Sequence, residues 1–140
     1  MTKSSARNIF IGGTAVFVII FLVLTYLSLS GPTLQARTHP ENITEEVEWG
    51  KKVWEKHACI DCHTLLGEGA YYAPELANVI DRRGEAFVRT VLQTAAVQGW
   101  GATRKMPQFD LSEKDIEGLV EFFKWMGEID TAGWPPNKEG

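Results

Sequence analysis

One long apolar block near the N-terminus stands out in the pattern of polar and apolar positions. It runs from Ile9 to Leu29, 21 residues without a charged side chain. As a helix rising about 1.5 Å per residue it would be about 32 Å long, enough to cross a hydrocarbon core of about 30 Å. A cleaved signal peptide is the alternative, but its apolar region usually has about 7–15 residues. The length therefore favours a retained transmembrane helix.

The charges around this block indicate its orientation. Lys3 and Arg7 precede it, whereas every acidic residue lies at or after Glu41. The positive-inside rule then places residues 1–8 in the cytoplasm and the remainder on the outer side, the periplasm of a bacterium. Gly31-Pro32 predicts the end of the helix. We therefore expect an anchor at 9–29, a linker at 30–40 and a periplasmic domain at 41–140.

The periplasmic part begins with apolar positions at helical spacing. Asn42, with Glu45 three residues later, matches the capping-box pattern of a helix start. The small and apolar positions that follow are Val47, Gly50, Trp54 and Ala58. A glycine inside a helix costs about 1 kcal/mol relative to alanine, and a close helix crossing would be a reason to keep one. The pattern predicts a helix that runs into the cysteine motif described below.

A second amphipathic helix is predicted near the C-terminus, starting at the cap Ser112 and ending near Gly127. Its wide apolar stripe consists of Ile116, Leu119, Val120, Phe122, Phe123 and Met126. We expect the two helices to cross at Gly50, with Trp54 and Phe122 or Phe123 packed around it.

The segment between these helices contains one further helical pattern, from Gly84 to Ala96. Gly67, Gly69 and Pro74 indicate a loop before it, and Gly99-Trp100-Gly101 indicates a turn after it. No stretch shows the alternation of a strand. The fold class predicted for the extramembrane part is therefore all-α.

The charge balance excludes some function classes. From Thr38 onward the chain has 11 Lys/Arg against 18 Asp/Glu, a net charge of −7 with histidines neutral. With no arginine-rich stripe, this balance argues against nucleic acid. It fits electrostatic docking of a more basic soluble partner, and a solvated acidic surface is the simpler interpretation.

The motif that carries chemistry is Cys59-Ile60-Asp61-Cys62-His63. Two cysteines two residues apart with an adjacent histidine are typical of covalent c-type haem attachment, in which each thiol adds to one vinyl group and the histidine ligates the iron. A four-cysteine zinc site is excluded because the chain has two cysteines. A thioredoxin-like site would want a βαβ context, and a local disulfide would leave His63 unexplained.

A haem iron with one histidine needs a sixth ligand or an open site, and this difference separates electron carriers from catalysts. The candidates are Met106, Met126, His39 and His57. Met126 lies on the apolar stripe, His57 is too near Cys59 to reach the opposite haem face, and His39 lies in the linker. Met106 lies in an irregular stretch beside Pro107, so we predict Met106 as the second axial ligand. His/Met ligation suits outer-sphere electron transfer.

These residues resemble a known family. The run from Ala58 to Leu76 is similar to class I cytochrome c, and more narrowly to the cytochrome c subunit (NorC) of bacterial cytochrome-c-dependent nitric oxide reductases. The single N-terminal anchor, Trp49-Gly50, the run Arg104 to Phe109 and Trp134-Pro135-Pro136 match the same family. The resemblance covers nearly the whole chain.

The resemblance implies a function and further site residues. A soluble cytochrome c or cupredoxin would deliver electrons to haem c, which would pass them to haem b of the large membrane subunit. Nitric oxide would be reduced to nitrous oxide there, at a haem b3/non-haem iron centre. Pro74 would accept a hydrogen bond from His63, and Leu76 would pack on the haem. An interface calcium ion would use main-chain oxygens at Gly69 and Tyr71.

The sequence leaves some alternatives open. An independent membrane-anchored shuttle, a cytochrome subunit of a haem–copper oxidase, or a haem-based gas sensor would share the motif. The basic residues Arg82, Arg83, Arg104 and Lys105 could neutralise haem propionates or could simply be solvated. No acid/base pair or nucleophile constellation is recognisable, so the sequence supports no catalytic site in this chain.

Overall fold

The chain divides into two compact units, Met1–Arg37 and Thr38–Gly140. The computed structural model describes residues 2–134, so the Pro135-Pro136 part of the C-terminal motif lies outside the described residues. The structure is about 65% helical, and its strands within residues 2–134 are a single two-residue pair. The all-α prediction is confirmed.

The first unit contains one long helix, α1 (Lys3–Ser30), followed by the start of a short one, α2 (Pro32–Thr38). The Thr2 hydroxyl accepts a hydrogen bond from the backbone N–H of Ser5 at 3.2 Å and so caps α1. The helix therefore begins before the apolar block that the sequence pattern marked. No residue of α1 is buried, and the helix is long and apolar enough to cross a membrane. The predicted linker is partly helical, because Pro32 is well placed at the first position of α2.

The second unit has four α-helices within its described residues. They are α3 (Glu45–Lys56), α4 (Val79–Arg83), α5 (Glu85–Val97) and α6 (Glu113–Glu128). Short 3₁₀ turns occupy Pro40–Asn42 and Cys59–Asp61. The strands β1 (Thr64–Leu65) and β2 (Glu68–Gly69) form an antiparallel hairpin that the sequence pattern did not predict.

Of the two capping boxes predicted from the sequence, one is present in the structure and one is not. Ser112 and Asp115 form the capping box predicted for α6, with reciprocal side-chain to backbone hydrogen bonds. The capping box predicted at Asn42 is wrong, because Thr44 caps α3 through the N–H of Val47. The Asn42 side chain instead donates to Glu128 at 2.7 Å.

The predicted crossing of α3 and α6 is confirmed. A Cβ added to Gly50 would lie 1.9 Å from the carbonyl oxygen of Gly118, so the two backbones are in direct contact. The Trp54 ring packs edge-on against Phe123 at 5.9 Å and tilted against Phe122 at 6.4 Å. This crossing forms the centre of the apolar core and fixes the end of α3 from which the cysteine motif continues.

Ion pairs join α5 to α6 on the surface. Arg89 lies 2.7 Å from Glu117 of α6 and 3.1 Å from Glu85 of its own helix. Lys124 of α6 lies 2.8 Å from Glu85. The pKa of Lys124 is raised by its hydrogen bond to Glu121 and then by that to Glu85. The pKa of Glu85 is lowered by its hydrogen bonds to Lys124 and then to Arg89. These ion pairs orient α5, which forms one wall of the cavity described next.

Candidate haem site

An open cavity of about 880 Å³ lies between the cysteine motif and the loop that precedes α6. Its walls include Cys59, Cys62 and His63 from the motif and Met106 from the loop. Most of the other lining side chains are apolar, with Trp54, Leu92 and Phe123 among them. A roomy apolar cavity with a few converging polar groups is the usual form of a cofactor site.

The backbone presents both cysteines through one tight turn. Ala58 adopts a left-handed conformation with φ 49°, and this residue separates the end of α3 from the turn that contains Cys59. The Cys59 carbonyl accepts hydrogen bonds from the N–H groups of Cys62 at 3.2 Å and His63 at 2.9 Å. Neither cysteine forms a disulfide. Burial, with a smaller effect of Cys62, raises the pKa of the Cys59 thiol to about 11, unlike the lowered pKa of a thioredoxin-type thiol.

His63 is held in the tautomer that a metal ligand requires. Its Nδ1 lies 2.8 Å from the carbonyl oxygen of Pro74, so the bond predicted between these residues is present. A carbonyl oxygen can only accept, so Nδ1 carries the proton and Nε2 has a free lone pair. Burial lowers the pKa of His63, opposed by the bond to Pro74, and so favours the neutral ring. Trp54 lies beside this ring, with centroids 6.3 Å apart.

The chain after His63 folds back so that Pro74 reaches the imidazole. The N–H of Ala73 donates to the carbonyl of Cys62 at 2.8 Å, and the N–H of Leu76 donates to Thr64 at 2.9 Å. These two bonds bracket Pro74 on either side. Leu76 is partly buried, packs against the core and lines the cavity.

Met106 comes from a separate part of the chain and is held by its backbone. Its N–H donates to the carbonyl of Trp100 at 2.7 Å, and the N–H of Trp100 donates back at 3.0 Å. Gly99 permits this pairing, since a Cβ there would lie 2.6 Å from the Met106 carbonyl oxygen. Met106 is partly buried and lines the cavity.

The other three candidates for the sixth ligand lie elsewhere in the fold. Met126 is buried in the core. His57 packs edge-on against Phe109 at 5.6 Å, and within residues 2–134 its buried Nε2 has no hydrogen-bond partner. His39 lies 3.2 Å from Glu41. Of the four candidates, Met106 is the one that the cavity brings together with His63.

Two basic residues at the cavity are engaged with main-chain carbonyls. Arg82 donates to the carbonyl of Glu75, and its Nε donates to Asn78 at 2.7 Å. Arg104 donates to the carbonyl of Tyr72 at 3.0 Å and lies over that ring at 5.8 Å. These contacts organise the loop that carries Pro74, a role that the sequence did not indicate.

The two residues of the implied calcium site belong to the same loop. A Cβ on Gly69 would lie 2.3 Å from the His63 carbonyl oxygen. This close approach of two backbone segments is enough to require glycine at position 69, whether or not a metal ion binds there. Tyr71 is exposed and its hydroxyl donates to the Gly67 carbonyl at 3.1 Å. Within residues 2–134, no group of three or more His, Cys, Asp or Glu side chains is arranged to hold a metal ion.

The donor set and the cavity fit a covalently attached haem. Two uncrosslinked thiols, a neutral imidazole with a free Nε2 and a thioether all line one apolar space. Soft sulfur and imidazole donors suit haem iron. The sequence predicted that these four residues form the site, and the structure brings them to one cavity. The contact of Trp54 with His63 was not predicted, because it depends on how the chain folds back.

Known proteins match this chain over nearly its full length. The cytochrome c family model matches residues 47–127, and a cytochrome c domain implies covalently bound haem c. The nitric oxide reductase NorC subunit of Stutzerimonas stutzeri is 50% identical, covering 99% of this chain and 97% of the relative. The NorC protein of Paracoccus denitrificans is 43% identical and that of Cereibacter sphaeroides 42%, each covering 100% of this chain and 97% of the relative. The chain therefore belongs to the cytochrome c family, and within it to the NorC proteins of nitric oxide reductases.

Proposed function

We propose that this chain is the electron-entry subunit of a membrane nitric oxide reductase. The observation that carries the proposal is the convergence of Cys59, Cys62, His63 and Met106 on one cavity, in a chain whose relatives carry the name of that subunit. The chain would accept electrons from a soluble cytochrome c or cupredoxin and pass them to haem b of the large subunit. Reduction of nitric oxide to nitrous oxide would occur in that larger subunit.

The residues of the cavity would each have one task. Cys59 and Cys62 would bind the porphyrin through thioethers, and His63 and Met106 would ligate the iron. A haem c held in this way supplies a one-electron couple with no position for substrate. Trp54 and Phe123, both buried, would keep water from the His63 side and so limit solvent reorganisation. The bond from His63 to Pro74 would make the imidazole more electron-rich.

The remaining features would place the domain beside its partners. Helix α1 would anchor the chain in the bacterial cytoplasmic membrane, with the haem domain in the periplasm, as the positions of Lys3 and Arg7 indicate. The chain would pair with the large haem b/b3 subunit as a heterodimer. Main-chain oxygens at Gly69 and Tyr71 would contribute to a calcium ion at the interface, with the other ligands supplied by the partner.

Purification in mild detergent tests the proposal. We expect the full-length chain to comigrate with a large subunit that holds haem b and non-haem iron, and to retain one haem after acidic organic extraction. A stable lone species would favour an independent shuttle, and a copper-containing partner would favour an oxidase subunit. A reduced spectrum that changes with carbon monoxide would indicate an open sixth position and a gas sensor.

A further inference from the structure

The carboxylate of Glu75 is surrounded by backbone donors. Oε1 accepts from the N–H of Leu66 at 3.1 Å and from that of Ala77 at 2.8 Å, and Oε2 accepts from the N–H of Gly67 at 3.2 Å. Hydrogen bonds from N–H groups to a carboxylate are charge-assisted and are stronger than neutral ones. Glu75 lines the haem cavity and is half-buried. One side chain therefore ties together two separate parts of the loop that follows the cysteine motif.

The first part that Glu75 holds is a strained turn. Leu66 and Gly67 connect β1 to β2, and both have positive φ, 53° and 82°. Two-residue hairpin turns with positive φ at both positions favour asparagine or glycine, so leucine at Leu66 is unusual. The carboxylate binds the N–H groups of both turn residues and so compensates for this conformation.

The second part is the segment that reaches His63. Glu75 directly follows Pro74, whose carbonyl accepts the Nδ1–H of His63. The N–H of Ala77, two residues after Glu75, donates to the Glu75 carboxylate and so forms a tight local turn. Arg82 donates to the main-chain carbonyl of Glu75. Contacts that converge on Glu75 therefore act together with the two backbone bonds on either side of Pro74 to hold the Pro74 carbonyl in place.

We infer that Glu75 is a positioning residue for the haem histidine: by bracing the 66–67 turn against the Pro74 segment, it helps to hold the Pro74 carbonyl on His63 and lowers the haem potential relative to a chain without this carboxylate. The inference rests on the proposed function, in which His63 ligates the iron. Two effects of Glu75 act in the same direction. Its negative charge beside the site stabilises the oxidised haem, and the bond it maintains makes the imidazole a better donor to Fe(III).

The test uses the full-length chain coexpressed with its large subunit. Glu75→Ala removes all three acceptor bonds, and Glu75→Gln removes the charge while keeping one acceptor oxygen. Glu68→Gln is the matched control, because Glu68 is an exposed carboxylate in the same hairpin. The readouts are the midpoint potential of the c-type band in a redox titration and the EPR g-values of the oxidised low-spin haem, which report the orientation of the axial imidazole.

We expect the midpoint potential to rise in Glu75→Gln and to rise further in Glu75→Ala, with altered g-values in Glu75→Ala. Glu68→Gln should shift the potential less than Glu75→Gln and leave the g-values unchanged. A wild-type potential and wild-type g-values in Glu75→Ala, or equal shifts in the two Gln variants, would overturn the inference. Should Glu75→Ala yield no haem-loaded protein, the comparison of the two Gln variants decides by the same readouts.

The same samples separate this inference from the proposed function. If the wild-type oxidised spectrum shows no methionine–iron charge-transfer band, the assignment of the axial ligands fails, and with it the proposed role of the site. If the band is present and the Glu75 variants behave like wild type, the positioning role of Glu75 alone fails.

Discussion

Gly50 lies where α3 and α6 approach most closely, and replacing it by alanine is a severe perturbation. The new methyl carbon would lie 1.9 Å from the Gly118 carbonyl oxygen and 2.7 Å from the Cβ of Phe122. Non-bonded carbon and oxygen atoms normally stay about 3.3 Å or more apart. The helices would therefore have to separate by more than about 1 Å, which would open the core around Trp54.

The expected cost follows from two opposing terms. Alanine would gain up to about 1 kcal/mol in helix propensity over glycine. Overpacking a well-packed core typically costs about 1–3 kcal/mol and occasionally more, and here the obstacle is backbone, which cannot rotate away. Because the obstacle is backbone, we take the overpacking cost at the upper end of that range, about 3 kcal/mol, and so expect a net loss of about 2 kcal/mol. In a domain of this size such a loss lowers Tm by about 8 °C or more.

Thermal unfolding of the full-length, haem-loaded chain in detergent measures this cost. Far-UV circular dichroism would follow the helices, and the methionine–iron band would follow the site. Gly127→Ala is the matched control: Gly127 is likewise inside a helix, α6, and its added Cβ would meet nothing closer than Asp81 Oδ2 at 3.7 Å. We expect that control to be neutral or slightly stabilising. A Gly50→Ala protein as stable as Gly127→Ala would refute the close crossing.

Three further predictions concern the site and the helix contacts. Met106→Ala should abolish the methionine–iron charge-transfer band and open the reduced haem to carbon monoxide; survival of the band would show that another sulfur is bound. Ser112→Ala should lower the free energy of unfolding by about 1 kcal/mol, because it removes the cap that pairs with Asp115; an unchanged denaturation midpoint would contradict this. Lys124 and Arg89 hold the pKa of Glu85 below its ordinary 4.5, so the stability this group contributes is present above that value and is lost as pH falls below it. Urea denaturation between about pH 6 and pH 3 should therefore show a steeper loss for wild type than for Glu85→Gln, and parallel curves would count against the pairing.

The parts of the structure predicted correctly from the sequence are those that neighbouring residues determine. The length of the apolar block indicated α1, and the spacing of Ser112 and Asp115 indicated the cap of α6. The crossing at Gly50 was also accessible, because a costly glycine in an amphipathic helix needs a packing reason. Pro32 could have indicated α2 by the same local reasoning, since proline is favoured at the first helical position.

The parts that were missed depend on contacts between distant residues. Asn42 has the sequence context of a helix cap, but its side chain instead donates a hydrogen bond to Glu128, 86 residues away. The hairpin at Leu66-Gly67 has strands of two residues, too short for any alternation to be visible. Glu75 could not be recognised because its partners are backbone amides, which carry no residue-type signal. Met106 was predicted as a ligand from its loop context, but its backbone pairing with Trp100 could be seen only in the fold.

Electron entry through the site formed by Cys59, Cys62, His63 and Met106 is the central claim about this molecule. The most direct test is rapid mixing of the oxidised two-subunit complex with a reduced soluble donor, followed at the absorbance bands of the c-type and b-type haems. We predict that the c-type band is reduced first and that the b-type haems follow as the c-type band reoxidises. Reduction of the b-type haems before the c-type band, or without it, would contradict the claim.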